Sequence, residues 1–393
     1  MRFRQFFKRN TLLAAVFCGF VGLLCLLSFV LPDKSFSENE KRVLQQSPEL
    51  STKKLFEGTF TREYEKYLSD QFAGRNFFVG LNAYYNLMIG RNGVNGVYAG
   101  QDGYLIEAPA GSDAQMAQNN ADAFVALGKR LGIKPDIMVV PATGYIYDHK
   151  LPAAHLVYED GMLIKAAVSR LDNEARYIDL VEPFYAHRDI EQLYFKTDHH
   201  WTSRGARLAY EVYCARKGLE PVSEQRFEIE SIEDFYGTTY SRSALWLKEP
   251  DVLELFFDIE KPDITVEIPQ SGIVSDSMYF YEHISEPDKY PVFLNGNHGY
   301  VKIVNQKPSG GTLLLIKDSY AHAMVPFLIH NYDKIIMVDP RYYRQDVAAL
   351  AEQEGVDSML VVYGINNLAG DASAQRLITA PRPDTANETP AAP

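Results

Sequence analysis

The longest apolar block comes first: residues 11–31 carry no charge over 21 positions, enough for a helix to cross a bilayer core of about 30 Å. Pro32-Asp33 ends it. Residues 33–54 are polar and read as a juxtamembrane spacer that leads into an amphipathic helix near 51–70. The stretch Asp70 to Arg75 breaks that helix, and a second covers 76–90, with Phe78, Leu81, Tyr85 and Met88 at helical spacing. Val97-Tyr98 and Tyr104-Leu105-Ile106 flank Gly100-Gln101-Asp102-Gly103 and predict a hairpin.

Beyond the hairpin, helical and apolar strand patterns alternate. Helices are expected at 115–131, 162–175, 203–217, 320–330 and 345–354. Strands are expected at 136–140, 176–179, 312–316, 334–338 and 358–363. Short apolar strands separated by helices imply an α/β domain whose parallel sheet is flanked by helices. Residues 221–300 break the rhythm and read as a β-rich insertion. The expected division is a basic cytoplasmic end at 1–10, a transmembrane anchor at 11–31, and a spacer with helix at 32–70. An α/β domain follows at 71–370, with a disordered tail at 371–393.

Charge fixes the orientation. Arg2, Arg4, Lys8 and Arg9 precede the apolar run with no acidic residue among them, which places the N-terminus in the cytoplasm and the body outside. A cleaved signal peptide is the rival reading. Its apolar region is usually shorter and ends in an A-x-A-like site, which residue 31 lacks. Either reading exports the body, anchored in the cell membrane or secreted. The whole chain carries −12, and without those four residues −16, so nucleic-acid binding is excluded as a function class. Three cysteines, two of them inside the apolar run, give neither a disulfide framework nor a zinc cluster. No cofactor is implied.

Three segments carry candidate chemistry. In Thr197-Asp198-His199-His200-Trp201, an extended backbone puts Asp198 and His200 on one face, so the carboxylate can orient the imidazole as a general base. The bland alternative is a polar turn before a helix, with Ser203 as its cap. A metal site is the weakest option. Adjacent histidines point to opposite faces of a strand, and no further ligand presents itself. In the second segment, 313–322, an apolar strand runs into Asp318-Ser319-Tyr320. That puts Ser319 at the carboxyl end of a parallel strand, with its N–H at a helix start, as nucleophile or as a plain N-cap. In the third, Gly364-Ile365-Asn366-Asn367 ends another strand, with a side-chain amide able to meet an oxyanion or simply a common turn. Arg341, Asn297 and Tyr320 are weaker candidates for substrate contact, Arg341 either meeting an anionic group or pairing with Asp339. His199 and His322 are alternative bases.

Asp198-His199-His200-Trp201 is the signature for which the DHHW protein family is named. With Lys317-Asp318-Ser319-Tyr320-Ala321 it resembles the alginate O-acetylation proteins, a circularly permuted branch of the SGNH hydrolases. Lys317 stands where the Gly-Asp-Ser block has glycine, and Asn367 where the Gly-x-Asn-Asp block has aspartate. The resemblance runs over about 35–370. It implies an SGNH-hydrolase-like fold with Ser319 as nucleophile, His200 as general base and Asp198 orienting it, and with Ser319 N–H and Asn366 as oxyanion donors. It further implies O-acetyl transfer to a cell-surface or secreted polysaccharide, with a membrane-bound O-acyltransferase as acyl donor. A polysaccharide O-acetylesterase and a non-catalytic glycan-binding or assembly protein remain as alternatives.

Overall fold

In lipid an uncharged apolar segment satisfies its backbone as a helix, and the first element is a single helix, α1 (Arg2–Val30). Within it, Thr11–Val30 is long and apolar enough to cross a membrane. The computed structural model describes residues 2–109, 111, 113–306 and 310–378. These form two compact units, one of 2–91 with 244–246, the other of 92–243 with 247–378. The boundary therefore falls at Arg91/Asn92, where the sequence reading put it at 70/71.

In the first unit, the spacer is ordered by ion pairs. Arg42 reaches Asp70 at 2.6 Å and Arg75 reaches Glu40 at 2.9 Å. The helix expected at 51–70 is divided at Gly58 (φ 70°) into Thr52–Phe56 and α2 (Thr59–Asp70). Helix α3 (Arg75–Met88) follows a left-handed Gly74. A Cβ at its Gly80 would meet the Trp246 ring at 3.6 Å, an ordinary packing distance, so this side of the helix is packed against Trp246.

The second unit is built on one eight-stranded sheet: β1 (Asp136–Val140), β2 (Arg176–Ile178), β3 (Ile264–Ile268), β4 (Ile273–Ser275), β5 (Tyr300–Asn305), β6 (Thr312–Lys317), β7 (Lys334–Val338) and β8 (Ser358–Gly364). Their order is β4-β3-β5-β7-β6-β8-β1-β2. From β7 to β2 all neighbours are parallel. Every residue of β1 and β8 is buried, as strands covered on both faces require. Beyond the expected parallel strands, β5, β3 and β4 extend the sheet in antiparallel fashion. Two of them, Ile264–Ile268 and Ile273–Ser275, come from the stretch 221–300 and form that edge of the sheet. Its remaining strands, Phe227–Phe235 and Asp251–Asp258, pair as a separate two-stranded sheet.

Two further expectations change. The helix foreseen at 320–330 is a 3-10 turn (Ser319–Ala323), a short α-turn (Val325–Leu328) with Pro326 in its first turn, and a second 3-10 turn (Ile329–Asn331). The tail begins later than 371. Ala372–Ile378 forms a 3-10 turn with Ser373, Ala374 and Leu377 buried, because these side chains pack on the helix Ala114–Leu131. Residues 379–393, the rest of that expected tail, lie outside the described residues.

Candidate active site

The parallel strands end along one edge, and three of the ends carry the candidate residues. Ile316 pairs with Val338 and Lys317 with Val362, so the turns after β6, β7 and β8 lie side by side. Such a carboxyl edge is where open α/β sheets hold ligands. Ser319 opens the turn after β6, and the N-cap there is Asp318, whose side chain accepts from Tyr320 N at 3.0 Å. The capping role is therefore filled one residue earlier, and the Ser319 hydroxyl is free of it. The other Asp318 oxygen accepts from Gly364 N at 2.7 Å and from Asn367 Nδ2 at 2.8 Å. One carboxylate thus ties the β6 turn to the β8 turn, with Asn367 as its partner. Gly364 has no room for a side chain, since a Cβ there would lie 2.6 Å from the Tyr320 ring.

The Asp198 segment, 121 residues before Ser319 in sequence, is brought against this turn. Asp198 Oδ1 lies 2.6 Å from His200 Nδ1, and His200 Nε2 lies 2.7 Å from Ser319 Oγ. All three side chains are buried, Ser319 retaining 8 % exposure. Burial alone would raise the Asp198 carboxyl. The neighbouring His199 and His200, with hydrogen bonds from His200 and Thr238, overcome it and hold the carboxyl well below the usual range. His200 is fixed on its sides as well. Tyr290 stacks on the ring at 4.0 Å and 9°, and Tyr320 meets it edge-on at 5.1 Å. Trp201 Nε1 donates to the Tyr320 carbonyl at 2.8 Å, and Tyr320 Oη donates to the His199 carbonyl at 2.7 Å. Trp201 and Tyr320 therefore lock the histidine segment to the serine turn. The cap of the helix Ser203–Lys217 is Thr202, which accepts from Gly205 N.

The second carboxylate oxygen of Asp198 accepts from Thr238 N at 2.7 Å and Thr238 Oγ1 at 3.0 Å, and Thr238 Oγ1 also meets His199 Nδ1 at 2.7 Å. Gly237 has to be glycine, because a Cβ would come within 2.1 Å of the Asp198 Cβ. Asp251, itself buried, accepts from Lys196 N, Thr197 N, Thr197 Oγ1 and Gln192 Nε2, and so supports the segment from behind. The sequence reading missed Gly237, Thr238, Asp251 and Tyr290. The polar-aromatic stretch 234–241, which holds Gly237 and Thr238, was the signal that could have found two of them. Asp198, His199 and His200 also present metal-ligand atoms within 4.8 Å of one another. Both His200 nitrogens are already engaged, by Asp198 and Ser319, so this donor set fits a relay better than a metal.

The weaker candidates fare differently. Asn366 Nδ2 donates to Glu107 Oε2 at 3.1 Å, and Glu107 also takes Arg242 at 2.7 Å. An amide carries two N–H groups, so one remains for another acceptor. Tyr320 is 8 % exposed, and its hydroxyl donates to the His199 carbonyl in the clamp described above. Arg341 is taken by Asp339, at 3.0 Å from Nε and 2.8 Å from Nη2, and its Nη2 lies 3.5 Å from Asn297 Oδ1. Asp339 also accepts from Lys317 Nζ at 3.1 Å, and that ammonium reaches His322 Nε2 at 2.7 Å. Lys317, Asp339 and His322 are all buried. His322 is held neutral, its pKa pushed well down by burial and by Lys317. The lysine that replaces the block's glycine thus heads a buried polar network beneath the serine turn.

Beside Asn366 lies a cavity of about 430 Å³, lined by Ile365, Ala369, Leu156, Val157 and Asp160 among others. Burial raises the Asp160 carboxyl from its ordinary 3.8 to about 6, while its Oδ1 accepts from Ala142 N at 2.7 Å. A carboxyl raised on folding contributes stability below pH 3.8 that is lost as pH rises through 6. Asp160→Asn keeps the acceptor without the charge. It is expected to raise stability at pH 8 by up to about 2–3 kcal/mol and to change little at pH 4. Urea melts at the two pH values check this, and equal effects at both would refute it.

Residues 158–338 match the model of the DHHW protein family, and the matched stretch includes the Asp198–Trp201 signature. In sequence the chain is similar to alginate biosynthesis protein AlgX of Pseudomonas aeruginosa, 27% identical over 112 residues. That alignment covers 26% of this chain and 24% of AlgX, so the chain spans about a quarter of that relative's length. Among solved structures, a DHHW family protein from Eubacterium siraeum matches with a TM-score of 0.62 and 22% identity, covering 75% of this chain and 99% of that one. PatB1 of Bacillus cereus, solved with a sulfonyl adduct, matches with a TM-score of 0.59 and 21% identity, over 70% of this chain and 96% of that one. At these identities the structures establish the mixed α/β fold with its large, parallel-rich sheet.

Proposed function

We propose that this protein is a membrane-anchored, extracytoplasmic O-acyltransferase of the SGNH-hydrolase type, moving an acetyl group onto a cell-surface or secreted polysaccharide through an acyl-serine. The observation that carries the reading is the relay from Asp198 through His200 to Ser319 Oγ, with contacts of 2.6 and 2.7 Å. A serine hydroxyl is a weak nucleophile until a base takes its proton, and these contacts suit that task. Ser319 Oγ attacks the acyl carbonyl carbon while His200 Nε2 takes the proton and Asp198 stabilises the imidazolium. The tetrahedral intermediate collapses, the donor oxygen leaves with the proton from His200, and an acyl-Ser319 ester remains. A sugar hydroxyl then attacks, giving its proton to His200, and the new ester departs as Ser319 is restored.

The first N–H of a helical turn is unpaired by the turn itself, which makes Ser319 N–H one oxyanion donor. The second N–H of Asn366 is the other candidate. Such donors are each worth about 3–4 kcal/mol in the transition state. The cavity beside Asn366 offers space for the acceptor. The anchor is the apolar helix, with Arg2, Arg4, Lys8 and Arg9 holding its start in the cytoplasm. A polysaccharide acceptor is in keeping with the similarity to an alginate biosynthesis protein. A membrane-bound O-acyltransferase is the proposed acyl donor.

The test uses the purified full chain with p-nitrophenyl acetate, with and without an acetylatable oligosaccharide. Acetyl should appear on the Ser319 peptide by mass spectrometry, be absent from S319A, and pass to the sugar when sugar is supplied. Transfer to water alone, with the sugar untouched, makes the protein an esterase. No acetyl-Ser319 under either condition sinks the catalytic reading in favour of a glycan-binding or assembly role.

A further inference from the structure

We propose that helix α3 lies on the outer surface of the bilayer, with Phe77, Leu81, Tyr85 and Met88 as the face that enters it. This rests on the reading of Thr11–Val30 as a membrane span. The four residues follow each other at intervals of four, four and three, which aligns them on one side of a helix. They are 67%, 54%, 52% and 77% exposed, and Ile89 beyond them is 54% exposed. The other side is packed: Ala83 is buried and Gly80 lies against Trp246. Between Arg75 and Arg91 the sequence has no charged residue at all. An exported helix that is apolar on its packed side and on its open side needs a cover for the second.

The position of α3 says what that cover is. Ser28, two residues before the end of α1, accepts a hydrogen bond from Ala73 N at 2.9 Å, two residues before α3 begins. Lys34, just past the span, donates its N–H to Gln71 Oε1 and accepts from Gln71 Nε2, both at 2.9 Å. The start of α3 is therefore held at the height where the apolar span ends, which is the headgroup boundary. Phe and Tyr side chains suit that depth, where an apolar ring and a polar tip are both accommodated. A helix lying there buries its apolar face a few ångströms into the acyl boundary. The lipid surface is thus the occupant nearest to hand, continuous with the span itself.

Single tryptophans at positions 77, 81 and 88 (Phe77→Trp, Leu81→Trp, Met88→Trp) in the full chain, reconstituted into vesicles containing brominated phosphatidylcholine, test this. Each should show quenching well above that of the wild type, whose own tryptophans are Trp201 and Trp246. Alkali extraction of the same vesicles reports separately on the span. An alkali-resistant chain without added quenching overturns the surface helix and leaves the anchor standing. A chain released by alkali overturns the anchor, and the surface helix with it.

Discussion

Asp198→Asn is expected to lower turnover of an activated acetyl ester by about 10⁴-fold, the size of effect seen when a triad aspartate loses its charge. The reason lies in the two oxygens. Oδ1 accepts from His200 N at 2.9 Å and faces His200 Nδ1, while Oδ2 accepts two bonds from Thr238. Asparagine has one oxygen and one NH2. If the NH2 faces Thr238, it meets a backbone donor; if it faces His200, it donates to Nδ1 and drives the ring proton to Nε2. In that tautomer His200 donates to Ser319 and can no longer take its proton. Steady-state rates with p-nitrophenyl acetate, beside a melting curve that shows a folded protein, provide the check. Activity within tenfold of wild type would remove Asp198 from the relay. Because folding depresses the Asp198 carboxyl, its contribution to stability is present at neutral pH. It is lost only as pH falls through that lowered value.

The second large effect is on folding. Asp339→Ala is expected to destabilise the protein by about 3–5 kcal/mol, as removing one member of a buried ion group does. Burial alone would raise the Asp339 carboxyl, and Lys317 and Arg341 outweigh it, holding the carboxyl below the usual range. Without the carboxylate, the Lys317 ammonium is left fully buried beside a neutral His322. Adding Lys317→Met should recover part of the loss, since the stranded charge goes with it, and the double-mutant cycle measures the coupling. Urea unfolding of the single and double variants settles the matter. A loss below about 1 kcal/mol, in the range of an exposed pair, would mean the network carries no such strain.

The strand segments β1, β6, β7 and β8 were legible because fully buried parallel strands are short unbroken apolar runs. Asp198, His200 and Ser319 were legible because the motif around them is local. The supports of Asp198 were not. Thr238 is 40 residues away and touches it through a backbone N–H and a hydroxyl that any turn could contain. Tyr290 was hidden for a similar reason, since a buried aromatic has no local mark that distinguishes a core from a ring stacked on a base. Strands β3 and β5 alternate buried and half-buried residues, so their pattern spoke of an edge but not of which sheet they extend. The helix foreseen at 320–330 failed because apolar periodicity does not reveal 3-10 geometry or the effect of Pro326.

The packing around His200 also constrains the order of events. With Tyr290 flat against one face and Tyr320 edge-on to it, the imidazole has no freedom to turn over between accepting a proton and giving it back. In the proposed acyl transfer, the same nitrogen would serve the departing donor oxygen and then the arriving sugar hydroxyl. Under that proposal both alcohols would have to reach one point in space, in succession, the first vacating it before the second enters. Donor and acceptor would then compete for a single berth, so excess of either is expected to slow the other, the kinetic pattern of a ping-pong enzyme.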